Sequence, residues 1–172
     1  MSDWRFIASR IVKNPLALAG IIIILTFIVI AIFAPLIAPA PEGHDTPYEI
    51  PRDGYSPIPE PPSEEHIFGT TAGQYDIFYG VIWGTRSAFH VALVVISIIV
   101  GLGILLGSLA GYFGGVIDEV IMRITDIFLA FPALILAMAI VSGLGASLNS
   151  VIIALATVSW PSYARLIRGD IL

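Results

Sequence analysis

The feature that most constrains this chain is an uncharged apolar run from Leu16 to Ala38. As an α-helix rising 1.5 Å per residue, the run would extend about 34 Å, enough to cross the roughly 30 Å hydrocarbon core of a bilayer. A signal peptide is the alternative, because three basic residues precede the run and Ala38-Pro39-Ala40 resembles a small-residue cleavage site. The run exceeds the roughly 7 to 15 apolar residues of a signal core, so a retained transmembrane helix is favoured.

Further uncharged stretches predict additional spanning helices: Ser87 to Tyr112, Ile127 to about Val141, and Leu148 to Ala164. The middle one is the shortest, and it reaches spanning length only if its helix begins near Ile117. The composition is 57% hydrophobic and 12% charged, whereas soluble domains are roughly 45 to 50% apolar and about 25% charged. We therefore expect an all-α membrane protein with about four transmembrane helices.

The basic residues predict the orientation of the chain. With a cytoplasmic N-terminus, six lie inside and two outside, which is the asymmetry of the positive-inside rule. The inner six are Arg5, Arg10, Lys13, Arg123, Arg165 and Arg168, and the outer two are Arg52 and Arg86. Trp83 and Trp160, near segment ends, and Tyr112 with Phe113 at another, are expected in interfacial aromatic belts. The prediction is a multi-pass protein of the cell's inner membrane.

The segment from Pro39 to Arg86 is the predicted external loop. It holds eight of the twelve prolines and eight of the thirteen acidic residues, which favours extended, solvated backbone in its first half. In its second half, Tyr75, Phe78, Tyr79 and Ile82 recur at helical spacing. This spacing predicts a short amphipathic helix at the outer membrane interface, with the first turns of the second spanning helix as the alternative.

Residues that could carry catalysis are sparse. The chain has no cysteine, which excludes disulfides and thiolate metal sites, and no catalytic, cofactor or metal site is predicted. Its one lysine is Lys13, so it cannot supply a phosphate-binding P-loop, and any ATP would be bound by a partner protein. His44, His66 and His90 lack metal-ligand spacing. We expect the first two to be ordinary surface histidines and His90 to face the interface or another helix. No nucleic-acid partner is predicted.

Gly103, Gly107 and Gly111 recur every four residues in an apolar stretch. Preceded by Gly101, they superficially resemble a dinucleotide-binding loop, but the spacing G-x-G-x-x-x-G does not fit that motif. A stripe of small residues lets another helix approach closely. We therefore predict that these three glycines form a helix-packing surface.

Glu119, Arg123 and Asp126 are spaced four and three residues apart, which places them on one helical face. They could gate the inner end of a translocation path, or they could form ion pairs that fix the start of a helix. The structural interpretation is favoured, because the cluster lies near a helix end rather than at mid-bilayer. Pro132 and Pro161 are expected to bend their helices, since each removes a backbone donor.

One long block of the chain carries a family signature. It comprises Ala110-Gly111-Tyr112-Phe113-Gly114-Gly115, then Asp118-Glu119, Met122-Arg123, Asp126 and Phe131-Pro132. The block resembles the signature of permease subunits of dipeptide, oligopeptide and nickel ABC importers, specifically their C-type subunit. Further matches are Asn14-Pro15, His66, Gly69-Thr70, Asp76, Gly84, Arg86, Trp160-Pro161 and Tyr163-Ala164-Arg165.

The chain departs from the family pattern in its predicted external loop. After Gly69-Thr70 the family commonly continues with an acid and then Gly-Arg-Asp. This chain instead has Thr71, followed by Gln74-Tyr75-Asp76, and it has Gly80 where an arginine is common. These departures leave the substrate subclass open.

The resemblance implies a type I ABC importer permease fold, with an isolated first helix followed by a five-helix core. Family members continue past the equivalent of Gly169-Asp170 into a coupling loop with a Glu-Ala-Ala motif and two more helices. We therefore expect a C-terminally truncated permease. Residues 1–60 would form a cytoplasmic stub, the first helix and the start of the external loop, residues 61–86 the rest of that loop with its interfacial helix, and residues 87–172 a partial core.

The function implied by the resemblance is transport rather than catalysis. The chain would form a translocation path for peptides or similar small solutes. Its partners would be the lipid bilayer, a second permease subunit, cytoplasmic ATPase subunits and an extracytoplasmic solute-binding protein. The 172-residue chain alone is not expected to support uptake, because the ATPase-docking loop is missing. The alternative is a non-transporting membrane anchor, or half of a split permease.

Overall fold

The computed structural model describes residues 13–41 and 46–172, so Arg5, Arg10 and His44 lie outside the described residues. The described part contains five α-helices and two isolated β-bridges but no β-strand. The helices are α1 (Pro15–Ile37), α2 (Ile77–Phe113), α3 (Gly115–Ala130), α4 (Ala133–Leu144) and α5 (Leu148–Ile171). The predicted all-α fold is confirmed.

The predicted first span is α1. Its N-cap is Asn14, whose side-chain oxygen accepts hydrogen bonds from the backbone N–H of Leu16 at 3.0 Å and of Ala17 at 3.4 Å. Pro15 follows at the first helical position, where its missing N–H has no cost. The 23-residue helix is apolar throughout and almost entirely unburied. Such a helix is suited to lipid rather than water.

The second span is longer than predicted. At 37 residues, α2 extends about 56 Å, nearly twice the thickness of the hydrocarbon core. It begins at Ile77 and continues without interruption, so the prediction of a separate interfacial helix is wrong and its alternative, the first turns of the second span, is correct. The reason is burial, because Tyr79 and Ile82 pack in a core with Ala34 and Ala38 of α1 instead of lying on a membrane surface.

Trp83 belongs to the same core and is only 5% exposed. Its indole Nε1 donates a hydrogen bond to the Ala38 carbonyl oxygen at 2.9 Å, and its ring stacks on Tyr79. Trp160 of α5 is likewise buried. The expectation that these two tryptophans form interfacial belts is therefore wrong, because each is used for packing inside the protein.

The predicted third span is broken into α3 and α4, which meet at 88°. The break follows from Pro132, which has no N–H to donate and disfavours helical backbone at the preceding residue. Phe131 is accordingly extended, with φ −90° and ψ 140°. Pro132 thus ends one helix and precedes another, whereas Pro161 lies inside α5, which runs unbroken from Leu148 to Ile171.

The chain forms two compact units, Met1–Phe89 and His90–Leu172. The division falls inside α2, three residues beyond the boundary predicted at 86. In the second unit, α5 packs against both α3 and α4. The N-cap of α5 is Ser147, whose side-chain oxygen accepts a hydrogen bond from the Ser150 N–H at 3.1 Å. Ile152 joins Val95 and Ile99 of α2 in a small apolar core.

Candidate functional site

The predicted glycine stripe of α2 is where α5 packs. A Cβ atom built on Gly103 would lie 2.7 Å from the Tyr163 Cβ, and one on Gly107 would lie 2.5 Å from the Ala164 carbonyl oxygen. On Gly111 the nearest atom, the Ile171 Cβ, would be 3.0 Å away. These separations leave no room for a methyl group, so the two helix backbones approach as closely as they do because these residues are glycine.

The order of these contacts shows that α2 and α5 run parallel. The partners of Gly103 and Gly111 are Tyr163 and Ile171, so contact advances by eight residues along each helix. Two parallel spans cross a bilayer in the same direction, and the chain between them has to return. The bent pair of α3 and α4, taken as one broken span, supplies this return and brings the described residues to as many as four candidate spans.

An ion pair joins the first turn of α3 to the last turn of α5. The Arg168 Nε donates to Asp118 Oδ1, and its Nη2 donates to Oδ2 at 2.5 Å. The side chains are only 29% and 18% exposed. Two parallel hydrogen bonds between a guanidinium and a carboxylate fix orientation as well as distance. We call the last turns of α2 and α5, together with the first turn of α3, the three-helix end.

The three residues predicted as one charged cluster are divided between two contacts. Asp126 pairs with Arg165 of α5, and both side chains are about half exposed. Glu119 and Arg123 form a loose pair at 3.9 Å, with exposures of 70% and 75%. Asp126 thus pairs across the interface with α5, whereas the pair of Glu119 and Arg123 lies within α3.

Sequence reasoning missed the Asp118–Arg168 pair and the partner of Asp126. A signal was present, because Arg165 and Arg168 lie one turn apart near the end of an apolar span. A cation in such a segment needs a nearby carboxylate or water. The partners lie across the interface between α3 and α5, which residue spacing within α3 does not indicate.

The other signature residues shape the turn and break on either side of α3. Gly114 and Gly115, with φ of 62° and 52°, reverse the chain between α2 and α3 in a conformation that favours glycine. Tyr112 and Phe113 precede this turn and are exposed. Pro132 produces the break after α3. The turn and the break thus bound α3 at its two ends.

A second polar site lies in the loop between α1 and α2, described over residues 46–76. The His66 Nδ1 is 2.8 Å from Asp76 Oδ2, and its Nε2 is 3.3 Å from Asp53 Oδ2. The other Asp76 oxygen accepts the Tyr79 N–H at 2.7 Å and so caps α2. His66 is only 12% exposed, and the hydrogen bond to Asp76 raises its pKa. The prediction of an ordinary surface histidine is wrong for His66.

The same loop is held by buried polar side chains. Thr70 Oγ1 donates to Gln74 Oε1 at 3.1 Å and accepts the Glu60 N–H at 3.0 Å. The Gln74 Nε2 donates to the Ile58 carbonyl oxygen at 3.0 Å. The loop contains little regular secondary structure, as predicted, but it is not simply solvated, because these hydrogen bonds join residues 58–60 to residues 70–74.

Three helices long and apolar enough to cross a membrane, with a bent pair that can count as a fourth span, define an integral membrane protein of the multi-pass, all-helical class. Comparison with known families makes the class specific. Residues 103–172 match the model described as "binding-protein-dependent transport system inner membrane component". Residues 2–57 match that of the "N-terminal TM domain of oligopeptide transport permease C". Both segments of the chain are thus similar to inner-membrane transport components.

Individual relatives agree with the family match. The chain is 41% identical over 172 residues to a dipeptide transport system permease protein of Alkalihalophilus pseudofirmus, covering 100% of this chain and 54% of the relative. It is 37% identical over 171 residues to a glutathione transport system permease protein of Escherichia coli, covering 99% of this chain and 54% of the relative. The chain thus spans about half the length of these curated relatives.

Proposed function

We propose that the protein is a transmembrane permease subunit of an ABC importer for peptides or similar small solutes. The observation that carries the proposal is the match to a dipeptide permease along the entire chain. The ordered three-helix end supports it, since two signature residues, Gly111 and Asp118, contact α5 there. A passive membrane anchor would have no use for a broken span beside such a junction.

The proposed assembly contains a second permease subunit, ATPase subunits on the cytoplasmic side and an extracytoplasmic solute-binding protein. ATP is bound by the ATPase subunits, because this chain has one lysine and no P-loop sequence. The permease would contribute the path and the conformational change that opens it to one side at a time. It would bind solute without reacting with it.

The proposed orientation has the N-terminus in the cytoplasm. In this orientation the charge pattern of the sequence places residues 39–86 outside and Arg123 inside. Arg165 and Arg168 belong to the inner side together with Lys13 and Arg123, as the positive-inside rule prefers. The acidic loop between α1 and α2 then faces outward, where the solute-binding protein would arrive.

Uptake by the reconstituted assembly tests the proposal. Proteoliposomes would contain the permease, its partner subunits and ATP on the cytoplasmic side, with a labelled dipeptide and the binding protein on the other side. We expect accumulation that requires both ATP and the binding protein. An assembly that hydrolyses ATP in response to the loaded binding protein but accumulates no dipeptide or other small solute would refute the proposal and favour the anchor alternative.

A further inference from the structure

Arg168 contacts both α2 and α3 at the three-helix end. A Cβ on Gly107 would lie 3.2 Å from its backbone nitrogen, and a Cβ on Gly111 would lie 3.3 Å from its carbonyl oxygen. Its guanidinium grips the Asp118 carboxylate of α3. The backbone of Arg168 therefore packs against α2, while its side chain forms hydrogen bonds to α3.

The rest of the α3–α5 interface is less directional. Thr125 is fully buried, but its hydroxyl donates to the Met122 carbonyl oxygen of its own helix at 2.7 Å. Phe128 meets Trp160 edge-on, with ring centroids 5.7 Å apart. Apolar contacts of this kind tolerate sliding, because they depend on area and not on the alignment of particular atoms. The bidentate pair is the contact that sets the register of the two helices.

We infer that Asp118 and Arg168 are positioning residues that make the last turn of α5 and the first turn of α3 move as one body. Displacement of the α5 end would be passed to α3 and, past Pro132, to α4. Asp126 and Arg165 add a second, more exposed contact along the same interface. The role of this junction in transport rests on the proposed permease function, whereas its mechanical role does not.

The ion pair is suited to this task because breaking it is costly on both sides. Removal of either partner would leave the other charge in a site where it is less than one-third exposed. Such a charge is poorly compensated and drives rearrangement of its surroundings. A double variant in which the acidic and basic residues exchange positions should therefore restore the contact between α3 and α5. A purely steric role for either residue would not allow this recovery.

The test uses the full transporter assembly in lipid nanodiscs and proteoliposomes. The chain has no cysteine, so spin labels on Val116→Cys in α3 and Leu172→Cys after α5 report the distance across the junction. The variants are Asp118→Asn, Arg168→Gln, Arg168→Lys and the swap of Asp118→Arg with Arg168→Asp. The readouts are the width of the distance distribution and the solute transported per ATP hydrolysed.

We expect Asp118→Asn and Arg168→Gln to broaden the distance distribution and to lower the transport ratio about tenfold. Arg168→Lys keeps the charge but loses the bidentate geometry, so both readouts for this variant should lie between those of the two variants above and those of the parent. The swap should narrow the distribution again. Asp170→Asn is the matched control, because Asp170 is exposed and forms no ion pair with any described residue.

Two results would overturn the inference. One is a parent-like distance distribution in both single variants, and the other is an effect of Asp170→Asn as large as that of Asp118→Asn. If the swap does not assemble, the graded order of Gln, Lys and Arg at position 168 decides the question, and equal distributions for all three would contradict the inference. A parent assembly that moves no solute would refute the permease proposal, and the distances would still decide the mechanical role.

Discussion

The loop between α1 and α2 and the helical unit from His90 to Leu172 solve opposite problems. In the loop the backbone is irregular, and side chains such as Gln74, Thr70 and Asp76 satisfy it. In the helical unit the backbone forms hydrogen bonds within each helix. Close contact between α2 and α5 depends on residues without a side chain, such as Gly107. The difference reflects solvent, because a chain in lipid must satisfy its backbone within each span, while a chain in water has other partners.

The two regions also differ in their charged groups. In the loop, the charge on His66 can be switched by pH and lies between Asp53 and Asp76. In the helical unit, Arg168 is permanently charged and has a dedicated carboxylate. A change of pH should therefore alter the loop before it alters the helical unit.

The largest expected effect of a single methyl group is in the loop, at Gly69. Its φ is 73°, and a Cβ there would lie 2.4 Å from the Glu60 carbonyl oxygen. Gly69→Ala should destabilise the loop by about 2 to 4 kcal/mol, the sum of left-handed strain and overlap with the backbone. The rate of proteolysis within the loop measures this. Gly54→Ala has the same strain, at φ 78°, but open space around it, so it should cost only about 1 kcal/mol. Equal costs would contradict the account.

The corresponding change in the helical unit is Gly107→Ala. We expect a loss of about 1 to 3 kcal/mol, because the methyl group would overlap the backbone of α5. Unfolding by denaturing detergent in mixed micelles measures the free energy. Gly101→Ala is the control on the same helix, since a Cβ there would meet nothing within 4 Å. If both variants unfold alike, the close packing of α2 on α5 is not what stabilises this unit.

Trp83→Phe tests the one buried side-chain hydrogen bond from α2 to the end of α1. The change leaves the Ala38 carbonyl without its indole donor, which should cost about 1 to 3 kcal/mol. This loss of stability should appear as faster proteolysis of the loop, and the detergent unfolding of the helical unit should not change. Trp160→Phe, which shrinks a buried ring packed on Phe128, should show the reverse pattern. Identical patterns for the two variants would mean that the units are not independent.

The smallest expected effect is the response of the loop to pH. The pKa of His66 is raised in the folded loop by its hydrogen bond to Asp76. Its contribution is therefore complete below the ordinary pKa of about 6.5 and is lost as the pH rises through the raised value. Proteolysis of the loop should be slower at about pH 5.5 than at about pH 8.5, after correction for protease activity. His66→Gln should remove the difference, and an unchanged difference in that variant would assign it to another group.

Much of the helical architecture could be predicted, because it depends on local properties of the sequence. The bounds of α1 follow from apolar residues and from the Asn14-Pro15 cap, and the start of α5 at Leu148 follows in the same way. The glycine stripe was predicted as a packing surface from its spacing alone. The structure adds its partner and the parallel direction of α5, which no pattern within α2 contains.

The parts that could not be predicted depend on contacts between distant residues. The amphipathic pattern around Tyr79 indicated a membrane surface, but the face is buried against α1. Gln74 has φ of 65° at a position where the resembling family commonly has glycine. Its two hydrogen bonds, to Thr70 and to the Ile58 carbonyl oxygen, offset that strain. A sequence pattern shows which residues are unusual, and only the folded chain shows what they contact.

The most direct test of the account is the accessibility of two positions from the two sides of the membrane. Glu64→Cys lies in the exposed loop and Asp170→Cys near the end of α5, and no native cysteine interferes. In intact cells a membrane-impermeant maleimide should label Glu64→Cys at once and Asp170→Cys only after permeabilisation. Labelling of both positions from outside would show that the bent pair of α3 and α4 does not return the chain across the membrane, and it would contradict the four-span topology on which the permease proposal rests.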